Sequence, residues 1–100
     1  MKDDETYTDF WRTYVAAHQR RANRVVHCIG IFAAAGGLIC AAAWGQAWIA
    51  VASVAVGYGL SWFGHFVIEG NRPETFRRPL WSLISAFRMA ALTVAGRDLG

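Results

Sequence analysis

His18, His27 and His65 are the only imidazoles in this chain of 100 residues. Asn23 precedes His27 by four positions and Glu69 follows His65 by four, so each pair shares a helix face one turn apart. Three imidazoles, with or without a carboxylate, suit Fe(II), Zn(II) or another borderline transition metal. Two histidines and one carboxylate with open positions form the arrangement of many oxygen-activating iron enzymes. Glu69 would then bind metal directly or orient a histidine from behind it. Singly, each residue has a plainer reading: a headgroup-level histidine, a solvated glutamate, an asparagine helix cap. What raises the metal reading is the joint placement of every histidine. No Gly-rich phosphate loop, Ser/His/Asp set or cysteine-based zinc motif is present.

The elements that place these residues follow from charge. From Val25 to Ile68 there is no Asp, Glu, Lys or Arg in 44 residues, in a chain that is 55% apolar and 17% charged. Two bilayer spans of ~20 residues each account for such a run. The expected fold is therefore all-α: one integral membrane domain over 1–100, built on a helical hairpin. Span 25–43 leads through a tight "WGQ" turn into span 47–69. His27 stands 18 residues before Gly45 and His65 stands 20 after it. At 1.5 Å per residue both lie ~27–30 Å from the turn, at one depth.

His18 arrives from a different element. Tyr7, Phe10, Trp11, Tyr14, Val15 and His18 share one face of an amphipathic helix over 7–19, expected along the membrane surface. Asp3, Asp4 and Glu5 suit its dipole. Gly30, Ala34, Gly37 and Ala41 form a small-residue seam on the first span, and Ser53, Gly57 and Ser61 form one on the second. A last helix over 79–95 starts at Pro79. Leu80, Leu83, Ile84, Phe87, Ala91 and Val94 lie on one side of it, with Ser82, Ser85 and Arg88 on another. Arg88 makes a free span costly, so this helix is expected to be interfacial or packed on the bundle.

Arg12, Arg20, Arg21 and Arg24 precede the hairpin, Arg72, Arg77 and Arg78 follow it, and the turn has none. The positive-inside rule puts both termini in the cytoplasm, with a bacterial inner membrane or the endoplasmic reticulum as the host membrane. There is no basic block away from the spans and no base-stacking motif, so nucleic acid is not an expected partner. Cys28 and Cys40 lie ~18 Å apart along one span, too far for a disulfide, and read as packing residues. Homo-oligomerisation is one way for so small a helical set to enclose a site.

Two blocks carry a resemblance. "HQRRANRVVHCIG" (His18 to Gly30) and "WFGHFVIEGNRPE" (Trp62 to Glu74) contain NR-x2-H-x2-G and GH-x3-E-x3-P. Together they resemble the 2-hydroxy fatty acid dioxygenases, small membrane proteins of fatty-acid alpha-oxidation, over roughly His18 to Phe87. After Pro73 this chain reads "ETF" where the family pattern continues with small apolar residues, and its last helix carries Arg88. The resemblance implies Fe(II)-dependent, oxygen-consuming cleavage of a 2-hydroxy fatty acid to the acid one carbon shorter. It assigns His18, His27 and His65 to the metal, and places Glu69 and Asn23 among the site residues. Arg72, Arg77 and Arg88 are then candidates to hold the substrate carboxylate. Two other readings of the same residues stay open: a non-catalytic membrane scaffold or oligomerising module, and a zinc-dependent lipid hydrolase.

Overall fold

The computed structural model describes residues 5–99, and helices α1 (Tyr7–Ala16), α2 (Arg21–Trp44), α3 (Ala47–Phe63) and α4 (Pro79–Val94) account for most of them. No strand occurs among the described residues. α2 and α3 form the hairpin, which turns at Gly45 in the left-handed region (φ 65°). The small-residue seams meet as their composition requires. A β-carbon on Gly30 would lie 2.9 Å from the Gly57 carbonyl oxygen, and one on Gly57 would lie 3.0 Å from that of Gly30. The backbones touch, so any side chain at Gly30 must push the helices apart. Gly30→Val is expected to destabilise the hairpin by about 1–3 kcal/mol through overpacking. Thermal unfolding in detergent would show a lower Tm, and a wild-type Tm would contradict this contact.

α1 is shorter than its sequence pattern suggests. It starts with a capping box, in which the Asp9 amide donates to the Thr6 hydroxyl and the Thr6 amide to the Asp9 carboxylate, both at 3.2 Å. It stops at Ala16 because the Val15 carbonyl is claimed twice from beyond the helix. The His18 amide donates to it at 3.0 Å and the Gln19 side-chain amide at 2.7 Å. His18 thus sits past the helix end, on a turn. The aromatic face expected at a membrane surface packs on protein instead. Phe10, Trp11 and Tyr14 form a core with Met89 of α4 and with Leu99, whose carbonyl accepts from the Trp11 indole at 3.2 Å. Asp3 and Asp4 lie outside the described residues. Glu5 pairs with Arg77 at 2.7 Å and Arg78 at 3.1 Å, which ties the loop before α4 to the start of α1.

α4 packs against α2 and α1 with its serines inward, while Arg88 stays exposed over Trp11. Ser82, Ser85, Met89 and Ala90 are buried, and Ser85 shares a 2.9 Å hydrogen bond with the Tyr7 hydroxyl. Leu80, Ile84 and Val94 face outward, while Leu83 and Phe87, also partly exposed, line the cavity between the helices. The same inversion holds for the hairpin: α3 has no buried residue, and Ile39 and Val51 are each 71% exposed. Arg21–Trp44 and Ala47–Glu69 are both long and apolar enough to cross a membrane. Of the two cysteines, Cys28 is buried against α4 and Cys40 is exposed; both are free.

The second long helix does not stay α-helical to its end. From Gly64 to Glu69 it widens into a π-helical turn, closed by Gly70 in the left-handed region. The amides of Gly70 and Asn71 both return to the His65 carbonyl. π-turns of this kind concentrate at functional sites. Gly64, at the start of the wide turn, has no room for a side chain: a β-carbon there would collide with the Asn23 carboxamide oxygen.

Candidate metal centre

Three chain segments deliver the histidines to one point. His18 comes from the turn after α1, His27 from the second turn of α2, and His65 from the π-turn. All three are buried. One ring nitrogen of each lies within 4.8 Å of the others. The ring centroids are 4.4–5.0 Å apart, and the planes are nearly perpendicular, at 82°, 83° and 88°. No second imidazole arrangement competes, because these are the chain's only histidines.

Hydrogen bonds settle which nitrogen each ring offers. His18 Nδ1 lies 2.6 Å from the Tyr14 carbonyl oxygen, and His27 Nδ1 lies 2.9 Å from that of Asn23. His65 Nδ1 lies 2.7 Å from Oδ1 of Asn71, whose amide nitrogen donates to the Ala17 carbonyl at 3.1 Å. Each of these oxygens only accepts, so every Nδ1 carries the proton and every Nε2 is left with a lone pair. Metal-ligating histidines are held in this way, with the outer N–H donated to a carbonyl or carboxylate.

The inner edges of the rings then form an acceptor cluster. His18 Nε2 and His27 Nε2 face each other at 3.3 Å with no proton between them. The Ser61 hydroxyl donates to His27 Nε2 at 2.7 Å. His65 Nε2 has no donor among the described residues. Buried lone pairs aimed at one another are costly unless a cation or proton sits between them. Burial first, and the neighbouring His27 second, push the His18 pKa down to about 2, so a proton is a poor candidate. A divalent metal fits: imidazole nitrogens suit iron, zinc, copper and nickel.

Glu69 and Asn23 stand behind this cluster. Glu69 Oε2 accepts from the Arg20 backbone amide at 2.8 Å and from the Asn23 side-chain amide at 3.2 Å. A carboxylate from the end of one long helix thus caps the start of the other, which favours the helix dipole and lets α2 begin at Arg21, four residues before the expected span. Asn23 Oδ1 has no hydrogen-bond partner among the described residues and rests against Gly64. The Arg24 guanidinium donates to the His18 carbonyl at 2.7 Å and ties the turn that carries His18 to the start of α2.

The three arginines expected at a substrate carboxylate lie elsewhere. Arg77 pairs with Glu5 and Glu74 and stacks on Phe10. Arg72 lies over Phe76, and Arg88 lies over Trp11 at 3.9 Å. None lines the cavity that opens from the histidines. That cavity has a volume of about 330 Å³ and runs between α2, α3 and α4. His27 and His65 line it, and it follows Gly30, Ala34 and Gly57 along the seam to Leu38 and Val54. Leu38 lies about 16 Å beyond His27 along α2. An apolar channel of that length with a polar cluster at its head accommodates an acyl chain and a polar head group.

The comparison with known proteins bears on the same residues. The profile of a family described as 2-hydroxy-palmitic acid dioxygenase Mpo1-like matches residues 5–98, nearly the whole chain. The chain belongs to this family. No curated protein and no solved structure matches it. The Mpo1-like profile embraces all three histidines, both helices of the hairpin and α4. Sequence reasoning missed Asn71, which stands in the quoted block but gives no periodic signal, since it follows a left-handed glycine on a π-turn. It also passed over Tyr14 and Ser61 as chemical groups, because their positions fit an aromatic face and a small seam.

Proposed function

We propose that this Mpo1-like protein is an Fe(II)-dependent dioxygenase that cleaves a 2-hydroxy fatty acid to the acid one carbon shorter, working within a membrane. One observation carries the reading: three buried Nε2 lone pairs converge at the head of an apolar, acyl-sized cavity in a chain of that family. The outward apolar faces of α2, α3 and α4 suit a hydrocarbon solvent. The arginine-rich end, where the histidines lie, faces the cytoplasm, and the Gly45 turn faces the opposite side.

His18, His27 and His65 would hold the iron through Nε2. Bound there, it would supply Lewis acidity towards the oxygens of a 2-hydroxy acid and electrons for dioxygen reduction. The chain's residues do the rest. The backbone carbonyls of Tyr14 and Asn23 and the side-chain oxygen Oδ1 of Asn71 accept from the three Nδ1–H groups, hold each ring in register and make its Nε2 more basic. The Tyr14 ring, stacked on His18 at 4.0 Å, closes the site on the α1 side. Gly30 and Gly57, in backbone contact, form a smooth wall along which an acyl tail would lie, fixing the C1–C2 bond beside the histidines. Atoms balance with one dioxygen: C2 becomes the carboxyl of the shorter acid, C1 leaves as carbon dioxide, and one water forms.

The test is oxygen uptake by iron-loaded protein given a 2-hydroxy fatty acid, with products identified by mass spectrometry. Equal amounts of oxygen consumed and shortened acid formed are expected. Oxygen-independent hydrolysis of a lipid ester would favour a hydrolase instead, and no turnover of either kind would overturn the enzyme reading.

A further inference from the structure

The cavity has no charge of its own. Apart from His27 and His65, its polar lining consists of hydroxyls: Tyr14, Ser61, Thr75 and Ser82, with Tyr58 further along. They come from different elements: α1, α3, the 3₁₀ turn at Glu74–Phe76, and α4. Arg72, Arg77 and Arg88 are all occupied outside it, against Phe76, Glu5 with Glu74, and Trp11. A carboxylate reaching the histidines along this cavity therefore meets neutral donors and no guanidinium.

Tyr14 is the donor without an assignment. Tyr14 is 2% exposed, and its ring stacks on His18 at 4.0 Å with the planes inclined by 21°. Its backbone carbonyl holds His18 Nδ1, yet its phenol hydroxyl has no partner among the described residues. A phenol at neutral pH is a donor, and a buried donor left unpaired is rare. Here the hydroxyl is neither satisfied nor sealed, and the residue opens on the cavity beside the metal ligands. Ser61 lines the same cavity with its hydroxyl donated to His27 Nε2 at 2.7 Å, so its proton becomes available to a head group only when a metal takes that nitrogen. Thr75 and Ser82 lie 3.3 Å apart, so one donates to the other and a single O–H of the pair stays free.

We infer that the substrate head group is received by these hydroxyls rather than by an arginine, and that Tyr14 is the positioning donor to its carboxylate or 2-hydroxyl oxygen. This rests on the function proposed above and adds the means of head-group recognition. A hydroxyl-lined head site beside a metal has a consequence for specificity. The metal supplies the only positive charge available to the acid, while the hydroxyls read where its oxygens sit. A long-chain acid is then oriented by hydrogen bonds that also serve a neutral 2-hydroxy acyl head, so selection for the free acid depends on the metal being present.

The experiment uses zinc-loaded full-length protein in detergent, where binding is read without turnover. A 2-hydroxy fatty acid is titrated against wild type, Tyr14→Phe, Arg72→Ala and Arg88→Ala, with zinc content measured in parallel. Tyr14→Phe keeps the ring stacked on His18, so zinc content equal to wild type is expected together with roughly tenfold weaker binding of the acid. Wild-type affinity in Tyr14→Phe overturns the inference alone and leaves the metal centre standing. So does a loss of affinity in either arginine variant with none in Tyr14→Phe. If the wild type binds zinc but no 2-hydroxy fatty acid, the functional reading and this inference both fall.

Discussion

Replacing His65 with alanine is expected to weaken metal binding by more than about 100-fold, beyond the range for losing a supporting contact, while the helical content stays that of wild type. The asymmetry follows from where His65 sits. Its ring meets both other imidazoles at 4.4 and 5.0 Å, and it is the imidazole contributed by the second long helix. Without it the centre keeps two nitrogens, both from the N-terminal half of the chain, and the α3 side offers no replacement: Glu69 is committed to the start of α2 and Ser61 is a neutral hydroxyl. The fold survives because the seam at Gly30 and Gly57 and the aromatic core around Met89 do not involve this ring. Metal analysis after anaerobic purification, with circular dichroism on the same samples, reads both halves of the prediction. Equal metal in mutant and wild type would remove His65 from the centre.

The second large effect is expected from a residue that touches no metal. Asn71 accepts the His65 Nδ1 proton and donates its own amide to the Ala17 carbonyl, one residue before His18. A single side chain therefore sets the tautomer of His65 and ties it to the turn that carries His18. Asn71→Ala is expected to cost about 10–100-fold in metal affinity, as outer hydrogen-bond partners of ligating histidines do. Asn71→Asp separates the two roles. It keeps an acceptor for His65 and loses the donor to Ala17, so its affinity should fall between wild type and Asn71→Ala. If Asn71→Ala holds metal as tightly as wild type, then His65 orients itself by packing alone.

Much of this arrangement was legible before any coordinates. A hairpin with a three-residue turn forces positions equidistant from Gly45 to one depth, and that arithmetic alone brings His27 and His65 together. The small seam was legible for the same reason: glycine and alanine spaced at three and four can only serve close approach. What periodicity could not give were the departures from α geometry. Glu69 follows His65 by four, which suggests a shared face, but the turn between them is π-helical, and the carboxylate caps α2 instead. His18 was legible as part of the site but not as a turn residue, because the capture of the Val15 carbonyl by Gln19 leaves no trace in hydrophobic pattern.

The arginines were obscured by a different cause. They are near the site in sequence, and their charge suits a carboxylate, yet Glu5 and the aromatic rings of α1 engage Arg77 and Arg88 first. Hydrophobic pattern also gave the sides of α4 without their direction. In water Leu80 and Ile84 would face the core; here Ser82 and Ser85 do, and Leu80 and Ile84 are left to the surroundings. The inversion is one reason to propose an apolar solvent for these helices.

The most direct test of the metal centre is X-ray absorption at the metal edge of the loaded, full-length protein. Three imidazole nitrogens in one shell at about 2.0–2.1 Å for zinc, without sulfur scattering, are the expected result. The same shell should fall to two imidazoles or disappear in His65→Ala. A bound metal that shows fewer than three imidazoles in the wild type, or a cysteine sulfur among its ligands, would contradict the centre formed by His18, His27 and His65.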